Sequence, residues 1–186
     1  MRVVAGRYGS RPLRPVPGQN TRPTTDKIKE SIFNLLGGTL DGGLVLDLYA
    51  GTGGLAIEAV SRGADFAVLC EKHRQAIQTI EANIAITKEP ERFQVLKGDN
   101  RASLTTWQAA HPEKNFDYVF LDPPYAKQAL VADIEWLVGQ GLVDEITDII
   151  VECDQHTQLP NHVAGFDLVK AKTYGQTQIL IYRGGN

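Results

Sequence analysis

The chain has 186 residues, which is enough for one domain with a sizeable core. It carries 22 Asp and Glu against 19 Lys and Arg, a formal charge of −3 at pH 7. Its apolar runs are far shorter than the roughly 20 residues that a membrane-spanning helix needs, and its first residues lack the apolar segment of a signal peptide. These features exclude a membrane-spanning protein, and we expect a soluble, cytoplasmic protein with no membrane partner.

The charge is unevenly distributed along the chain. Residues 1–30 carry seven Lys and Arg against two acidic residues, whereas residues 31–186 carry twelve against twenty. A basic segment on an acidic body is typical of a protein that contacts nucleic-acid phosphates at one place, and a solvated terminus is the alternative. We interpret residues 1–20 as a basic arm that precedes a single domain over residues 21–186. The candidate phosphate contacts in the arm are Arg7, Arg11 and Arg14.

The first predicted elements belong to the arm and the segment after it. Two short β-like stretches, residues 2–6 and 11–16, predict a small hairpin. A hydroxyl residue, Thr24 or Thr25, then precedes a helix, because apolar residues recur at helical spacing after it. The glycines at residues 37–38 end this helix.

From residue 44 onwards, strand-like and helix-like segments alternate. The predicted strands cover residues 44–50, 65–71, 93–99, 116–124, 148–154, 166–174 and 177–183. The predicted helices between them cover residues 53–63, 73–87, 101–110 and 127–141. This alternation predicts an α/β fold with a mostly parallel, seven-stranded sheet covered on both faces. The last two strands, joined through Gly175, form a C-terminal antiparallel hairpin.

The strand that begins at residue 44 runs into a glycine-rich loop, DLYAGTGG, at residues 47–54. Glycine lets the backbone turn tightly and approach a ligand, and the helix after the loop offers free N–H groups. The next strand ends in Glu71, followed by Lys72, where a carboxylate suits the ribose hydroxyls of a nucleoside. The loop alone is consistent with either NAD or S-adenosylmethionine as the cofactor.

Two acidic residues favour S-adenosylmethionine. Asp47 lies four residues before the first glycine of the motif, where a cationic ligand fits better than a pyrophosphate. Asp99 and Asn100 follow the third strand, where a carboxylate is able to accept from the adenine amino group, although a helix cap explains each acid taken alone. The predicted cofactor residues of these loops are Asp47, Tyr49, Ala50, Gly51, Thr52, Gly53, Glu71, Lys72, Asp99 and Asn100.

The fourth strand ends in the motif DPPY, at the sheet edge where ligands of open α/β folds bind. A rigid turn would explain the prolines alone, but the whole motif suits methyl transfer to an exocyclic amine of a base. The lone pair of such an amine is delocalised into the ring. A carboxylate and a carbonyl that accept its N–H groups orient the lone pair and stabilise the charge that develops, while an aromatic ring stacks on the base. The predicted catalytic residues are Asp122, Pro123, Pro124 and Tyr125.

Metal and thiol chemistry are not predicted. The four histidines show no metal-ligand spacing with one another or with either cysteine. Cys70 and Cys153 lie in apolar, strand-like runs, and we expect both to be buried thiols.

Beyond these motifs, the sequence resembles the RsmD-type methyltransferases over nearly the whole chain. The resemblance is carried by MRVVAGRYGSRPL (1–13), NTRPTTDKIKESIFNLL (20–36), VLDLYAGTGGLAIEAVSRGA (45–64), DPPY (122–125) and KTYGQTQILIY (172–182). Many amino-methyltransferases share the glycine loop and DPPY. The stretch RPTTDKIKESIFN is much more specific to this family.

The resemblance implies a Rossmann-like class I methyltransferase fold, with residues 21–186 as the methyltransferase domain. It implies methyl transfer from S-adenosylmethionine to the N2 amine of one guanine in 16S ribosomal RNA during small-subunit maturation. It also implies that Thr24 and Thr25 border the cofactor, that Arg22 contacts RNA and that Phe33 helps to enclose the pocket. Without a separate RNA-binding domain, we expect a monomer that recognises shaped RNA within an assembling subunit.

Three alternatives remain open from the sequence. An N6-adenine methyltransferase acting on DNA or RNA is equally consistent with DPPY. An NAD-dependent dehydrogenase shares the glycine loop but leaves DPPY unexplained. A non-enzymatic RNA-binding module with a vestigial fold is the third, because fold does not determine function.

Overall fold

Strands and helices alternate along the computed structural model, which describes residues 1–18, 25–123 and 127–185. The helices in this part of the chain are α1 (Asp26–Leu35), α2 (Gly54–Ser61), α3 (Arg74–Thr87), α4 (Asn100–Ala110) and α5 (Lys127–Gly139), with a 3-10 turn at Pro90–Arg92. The strands are β1 (Leu44–Asp47), β2 (Phe66–Glu71), β3 (Phe93–Lys97), β4 (Tyr118–Leu121), β5 (Asp148–Asp154), β6 (His162–Val163), β7 (Phe166–Tyr174) and β8 (Thr177–Gly184). No helix in these ranges is both long and apolar enough to cross a membrane.

The strands form one sheet in the order β3-β2-β1-β4-β5-β8-β7-β6. Strands β1 to β5 pair in parallel, and β6, β7 and β8 pair antiparallel with their neighbours. The predicted α/β class, the mostly parallel sheet and the C-terminal antiparallel hairpin are thus confirmed. The two-residue strand β6, which was not predicted, extends the sheet beyond the seven predicted strands because His162 and Val163 pair with the start of β7.

The strand order reverses between β1 and β4. From β1 the chain moves outward through β2 to β3, and then returns to β4 on the other side of β1. Helix α2, which follows β1, packs on one face of the sheet, and α5, which follows β4, packs on the other. This divergence opens a crevice at the carboxyl ends of the two strands, where open α/β sheets bind ligands.

Successive residues of the parallel strands contribute to two apolar cores, because neighbouring side chains point to opposite faces of a sheet. In β1, Val45 lies in the core formed with α1, α2 and α3, and Leu46 lies in the core formed with α4 and α5. The parallel strands are therefore apolar on both faces, which is what a sheet covered by helices requires.

Within residues 1–16, the two predicted β-like stretches pair with each other, and this segment packs on the rest of the chain. Arg2 and Pro12 form one antiparallel bridge, and the Leu13 N–H donates to the Met1 carbonyl oxygen at 2.9 Å. The pairing expected of a hairpin is present, although it is limited to this bridge and nearby hydrogen bonds. Val3, Tyr8 and Leu13 are buried in the core beside α2 and α3, which ties this segment to the domain.

Helix α1 begins and ends where its sequence predicts. The Thr25 hydroxyl accepts from the Ile28 N–H at 3.2 Å and caps the first turn. Gly37 and Gly38 follow with φ of 100° and 88°, a conformation that favours glycine and ends the helix. Thr24, the other predicted first residue, lies outside the described residues.

Candidate active site

A cavity of about 760 Å³ opens at the carboxyl ends of β1, β2, β3 and β4. This volume is in the range of sites that bind small molecules. Its walls include eleven of the predicted site residues, namely Asp47, Tyr49, Ala50, Gly51, Thr52, Glu71, Lys72, Asp99, Asn100, Asp122 and Pro123. The topology thus places the predicted cofactor residues and the first two residues of DPPY in one cavity.

The glycine loop between β1 and α2 turns through two residues in the left-handed conformation. Gly51 and Gly53 have φ of 57° and 82°, which side chains other than hydrogen rarely allow. A Cβ on Gly51 would meet no atom within 4 Å, whereas a Cβ on Gly53 would meet Leu69 at 3.4 Å. Gly51 therefore leaves room for a ligand. Gly53, although predicted to bind the cofactor, packs against the core and is not among the described cavity residues.

Glu71 ties the end of β2 to the glycine loop. Its Oε1 accepts from the Gly51 N–H at 3.0 Å, and its Oε2 accepts from the N–H groups of Lys72 and His73, both at 3.0 Å. A carboxylate has about four acceptor positions, so three N–H bonds leave capacity for a ligand hydroxyl. These bonds hold the carboxylate in place at the cavity wall before any ligand arrives.

Asp47 is the most deeply buried acid of the cavity, with 2% of its surface exposed. Burial raises its pKa from the usual 3.8 to about 7, and the negative charge of Glu71 contributes in the same direction. Backbone hydrogen bonds from Ala56 and Tyr49 act against this rise. A cationic ligand beside Asp47 would stabilise its ionised form.

Asp99 and Asn100 start α4 at the far wall of the cavity. The Asp99 Oδ2 accepts from the Ala102 N–H at 2.9 Å and caps the helix. The Asn100 side-chain amide approaches the Leu48 carbonyl oxygen at 3.4 Å. The capping interpretation of Asp99 is therefore correct, and the same residue also lines the cavity.

Sequence reasoning missed several cavity residues, among them Asp133 and Arg101. Asp133 on α5 is 3% exposed, and it accepts from the Tyr49 hydroxyl at 2.6 Å and from the Arg101 guanidinium at 3.4 Å. Burial raises the pKa of Asp133, and burial together with the Asp133 carboxylate raises the pKa of Tyr49. Arg101 also lies over the Trp136 ring, 5.4 Å from its centroid. An acid at position 133 within the mostly apolar sequence ALVADIEWLV was the available signal.

Asp122 follows β4 directly and lines the cavity together with Pro123. Burial raises its pKa well above the usual range, and the acidic groups of Glu152 and Asp47 raise it further. Glu152, on β5, was not predicted as a site residue. Pro124 and Tyr125, the remaining predicted catalytic residues, lie outside the described part of the chain.

The N-terminal segment forms another wall of the cavity, which the sequence did not predict. Met1, Pro15 and Val16 line it. The fully buried Asn83 of α3 holds this segment in place. Its side-chain amide donates to the carbonyl oxygens of Arg14 at 3.1 Å and Thr52 at 2.8 Å, and its Oδ1 accepts from the Arg14 N–H at 2.8 Å. One side chain thus joins the arm to the glycine loop.

The predicted arginines of the arm lie outside the cavity walls that the structure describes. The Arg7 guanidinium pairs with Glu89 at 3.4 Å. Arg11 donates to the carbonyl oxygens of Ile86 and Thr87 at the end of α3, at 3.3 and 2.8 Å. The Arg14 residue is exposed although its backbone is held by Asn83. Arg22 lies in the range that the structure does not describe.

The other residues assigned by resemblance have structural positions in α1. Thr25 caps the helix and is not among the described cavity residues. Phe33 is fully buried in the core, with its ring 5.8 Å from that of Phe120 and 5.1 Å from the Arg62 guanidinium. Phe33 is not among the described cavity residues, so its role in enclosing the pocket stays a prediction.

Both cysteines are free thiols. Cys70 is fully buried as expected, whereas Cys153 is only half-buried, which corrects the prediction for that residue. Burial raises the pKa of both thiols, that of Cys153 to about 11. The described residues hold no cluster of three His, Cys, Asp or Glu side chains suited to a metal ion.

Comparison with known proteins places the whole chain in one family. The model of the family described as "Conserved hypothetical protein 95" matches residues 1–183. YlbH of Bacillus subtilis (strain 168), provisionally named an rRNA methyltransferase, is 40% identical over 183 residues, 98% of each protein. Ribosomal RNA small subunit methyltransferase D of Escherichia coli (strain K12) is 32% identical over 184 residues, 98% of this chain and 89% of that protein.

Solved structures agree with this assignment. A conserved hypothetical protein of Streptococcus pyogenes superimposes with a TM-score of 0.77 at 43% identity, over 84% of this chain and 95% of that one. The Escherichia coli protein yhhF, provisionally named a methyltransferase, superimposes with a TM-score of 0.83 at 32% identity, over 99% and 97%. The fold is the Rossmann-like fold of class I methyltransferases. On these matches, the chain belongs to the family described as conserved hypothetical protein 95, the RsmD-type methyltransferases.

Proposed function

We propose that this protein transfers a methyl group from S-adenosylmethionine to an exocyclic amine of a nucleobase. The observation that carries the proposal is that one cavity joins the glycine loop after β1 to Asp122 after β4. Methyl transfer is a direct displacement, and its rate depends on holding donor and acceptor in line. A single cavity meets that requirement if the glycine loop (residues 47–54), Glu71, Asp99 and Asn100, which we call its cofactor half, bind the donor while Asp122 binds the acceptor.

The residues of the cofactor half fit S-adenosylmethionine. The open space at Gly51 lets a ligand approach the backbone. The buried Asp47 offers a negative charge to a cationic ligand, and Glu71 has acceptor capacity for ribose hydroxyls. We propose that Asp99 and Asn100, which line the same cavity, contact the adenine. When bound, S-adenosylmethionine supplies an electrophilic methyl group on a sulfonium.

Asp122 is the proposed catalytic residue. Its carboxylate accepts a hydrogen bond from the amine, which orients the lone pair and stabilises the positive charge that develops on nitrogen. Transfer would form an N–C bond at the expense of the S–C bond of the methyl donor, whose electron pair stays on sulfur, and the proton lost by the amine would pass to solvent. Pro123 lines the same cavity, and a carbonyl of the proline segment and the Tyr125 ring remain predicted as a second acceptor and a stacking surface.

The substrate that we propose is ribosomal RNA, methylated at the N2 amine of one guanine in 16S RNA of an assembling small subunit. Relatives named as ribosomal RNA methyltransferases support the RNA class, and the family resemblance supports the guanine amine. We further propose that residues 1–20 are an RNA-contacting arm on a methyltransferase domain at residues 21–186, that Arg7, Arg11, Arg14 and Arg22 contact RNA, and that the protein is monomeric.

The alternatives differ in how well they fit. Membership in a methyltransferase family argues against the alternative of an NAD-dependent dehydrogenase. Methylation of an adenine N6 amine stays the second candidate, because the Asp122 carboxylate accepts equally well from either amine. A binding module without activity is the remaining outcome for the experiment to test.

The deciding experiment combines the pure protein with labelled S-adenosylmethionine and small ribosomal subunits from a strain that lacks the enzyme, followed by nucleoside analysis. Labelled N2-methylguanosine is the expected product. Labelled N6-methyladenosine would establish the second candidate. Binding of the cofactor without any labelled nucleoside, on subunits, naked RNA and DNA alike, would leave only the binding module.

Asp122→Ala tests the proposed chemistry. We expect this variant to lose methyl transfer by at least about 100-fold, since it removes a group that stabilises the transition state. Its Kd for adenosylhomocysteine, measured by calorimetry, should stay within a few fold of the wild type. Unchanged turnover would remove Asp122 from the mechanism.

A further inference from the structure

Two carboxyl groups meet where β4 ends beside β5. These strands pair in parallel with Leu121 opposite Val151, so the residues that follow these two, Asp122 and Glu152, are lateral neighbours, and Asp122 lines the cavity. Side chains at equivalent positions of adjacent parallel strands point to the same face. Each carboxyl group lies within hydrogen-bonding reach of the other, which raises the pKa of Asp122, and a hydrogen bond between two carboxyl groups requires a proton.

The groups around this pair favour retention of that proton. Asp47 on β1 adds negative charge, and Glu71 on β2 acts on Asp47 in turn. On β5 itself the Cys153 thiol lies beside the pair. On β8, the apolar Ile179 is opposite Glu152 in register. Burial and these acidic neighbours raise the pKa of Asp122 well above its usual range.

We propose that Glu152 is a positioning residue for methyl transfer, and that it shares one proton with Asp122 and so fixes the orientation of the Asp122 carboxyl group toward the substrate amine. The inference rests on the proposed function, in which Asp122 accepts from that amine. One oxygen of Asp122 bonds to Glu152, which leaves the other oxygen for the substrate. Without Glu152, the carboxyl group of Asp122 rotates about its Cβ–Cγ bond.

The first test compares Glu152→Ala with Glu152→Gln. Alanine removes the hydrogen bond, and we expect kcat to fall by about 10- to 100-fold, the scale of a misplaced catalytic group, with KM for S-adenosylmethionine within a few fold. Glutamine keeps a donor for Asp122 and should restore most of kcat. Asp154→Asn, which removes an exposed carboxylate from the same strand, is the matched control and should leave kcat unchanged. Equal loss in the alanine and glutamine variants would overturn the positioning role.

The pH profile separates positioning from a purely structural role. Because the shared proton fixes Asp122, kcat should fall as the pH increases through the ionisation that removes this proton from the pair. In Glu152→Gln the amide donor does not ionise, so this falling limb should be absent. The Asp154→Asn limb should coincide with that of the wild type. A falling limb that persists unchanged in Glu152→Gln contradicts the inference.

A third measurement does not depend on the substrate. Side-chain carboxyl 13C NMR of the full chain, with Asp122 assigned by Asp122→Asn, follows the ionisation of Asp122 directly. We expect Asp122 to titrate above the usual range in the wild type and at lower pH in Glu152→Gln. If the wild type methylates no nucleoside, the proposed function fails while this titration still tests the shared proton. An Asp122 titration that Glu152→Gln leaves unchanged overturns the inference whatever the activity.

Discussion

At the scale of single residues, the cavity keeps an acid in an environment that disfavours its charge. Asp47 is 2% exposed, and its pKa is raised to about 7. Between the usual 3.8 and 7, the folded protein therefore holds a proton that the unfolded chain releases. Stability then falls as the pH rises through this window. We infer that Asp47 is retained for ligand binding at a cost to the stability of the ligand-free protein.

Asp47→Asn should separate these two effects. Asparagine cannot ionise, so we expect the variant to unfold at a higher temperature than the wild type at pH 8, by roughly 2–4 °C for each kcal/mol gained. The difference should vanish at about pH 3 and below, under the usual 3.8, where the wild-type carboxyl group is mostly protonated in both states. Differential scanning calorimetry across this range measures it.

The same variant should bind S-adenosylmethionine more weakly, because the negative charge beside the cationic ligand is lost. Calorimetric titration at pH 8 measures this loss. Asp41→Asn, at an exposed position, is the matched control and should change neither property. A stability difference that is independent of pH would contradict the role of Asp47 ionisation.

At the scale of elements, α2 anchors the N-terminal segment through one buried acid. The Glu58 carboxylate accepts from the N–H groups of Val4 and Ala5 at 2.8 and 3.1 Å, and it pairs with Arg62 at 2.7 Å and Lys29 at 3.5 Å. A buried charge is tolerated only when it is paired and hydrogen-bonded. Since α2 also follows the glycine loop, the arm and the cofactor half of the cavity share one helix.

Helix α3 makes the second anchor, and Asn83→Ala tests it. The substitution removes three hydrogen bonds from Arg14 and Thr52, each contributing about 1 kcal/mol. We expect the free energy of unfolding to fall by about 1–3 kcal/mol, the Kd for adenosylhomocysteine to rise several-fold and proteolysis within residues 1–18 to accelerate. Gln75→Ala, exposed on the same helix, is the control. Wild-type affinity and wild-type cleavage would show that Asn83 does not couple the arm to the loop.

At the scale of the whole molecule, positive charge is concentrated in residues 1–30 of an otherwise acidic chain. The structure separates Arg7, Arg11 and Arg14, the three arginines of the arm proposed to contact RNA, by their partners. Arg11 is engaged with the carbonyl groups that end α3. Arg7 forms an exposed ion pair with Glu89, and Arg14 is exposed. Arg7 and Arg14 are therefore the better candidates for contacts with phosphates, and Arg11 also stabilises the arm.

Replacing Arg7, Arg11 and Arg14 together with glutamine should weaken RNA binding and flatten its salt dependence. Each phosphate contact that is lost should reduce the slope of log K against log salt by about 0.7–0.9. Fluorescence anisotropy with ribosomal RNA fragments at several salt concentrations measures both quantities. Arg11→Gln alone should chiefly lower the unfolding temperature. Lys114→Gln, an exposed cation in the loop before β4, is the control, and an unchanged slope in the triple variant would leave the arm without a role in RNA binding.

The sequence by itself determined the parts of this protein that depend on local pattern. The alternation of apolar segments predicted the helices and the parallel strands, because each side chain is buried or exposed according to the period of its own element. The glycine motif indicated a tight turn at Gly51, and acids at the ends of strands placed Asp47, Glu71 and Asp122 at one sheet edge. The two-residue strand β6 was not predicted from the sequence, because two residues are too few to show a periodic pattern.

Only the tertiary structure decided which distant residues meet. Asp133 contacts Tyr49 across 84 positions, and Asn83 reaches Arg14 across 69. Glu152 adjoins Asp122 only because β5 pairs with β4 in a particular register. Such contacts depend on strand order and helix packing, which bring remote segments together. A local sequence pattern describes the environment of one element, whereas the pKa of Asp122 and the position of the arm depend on several elements at once.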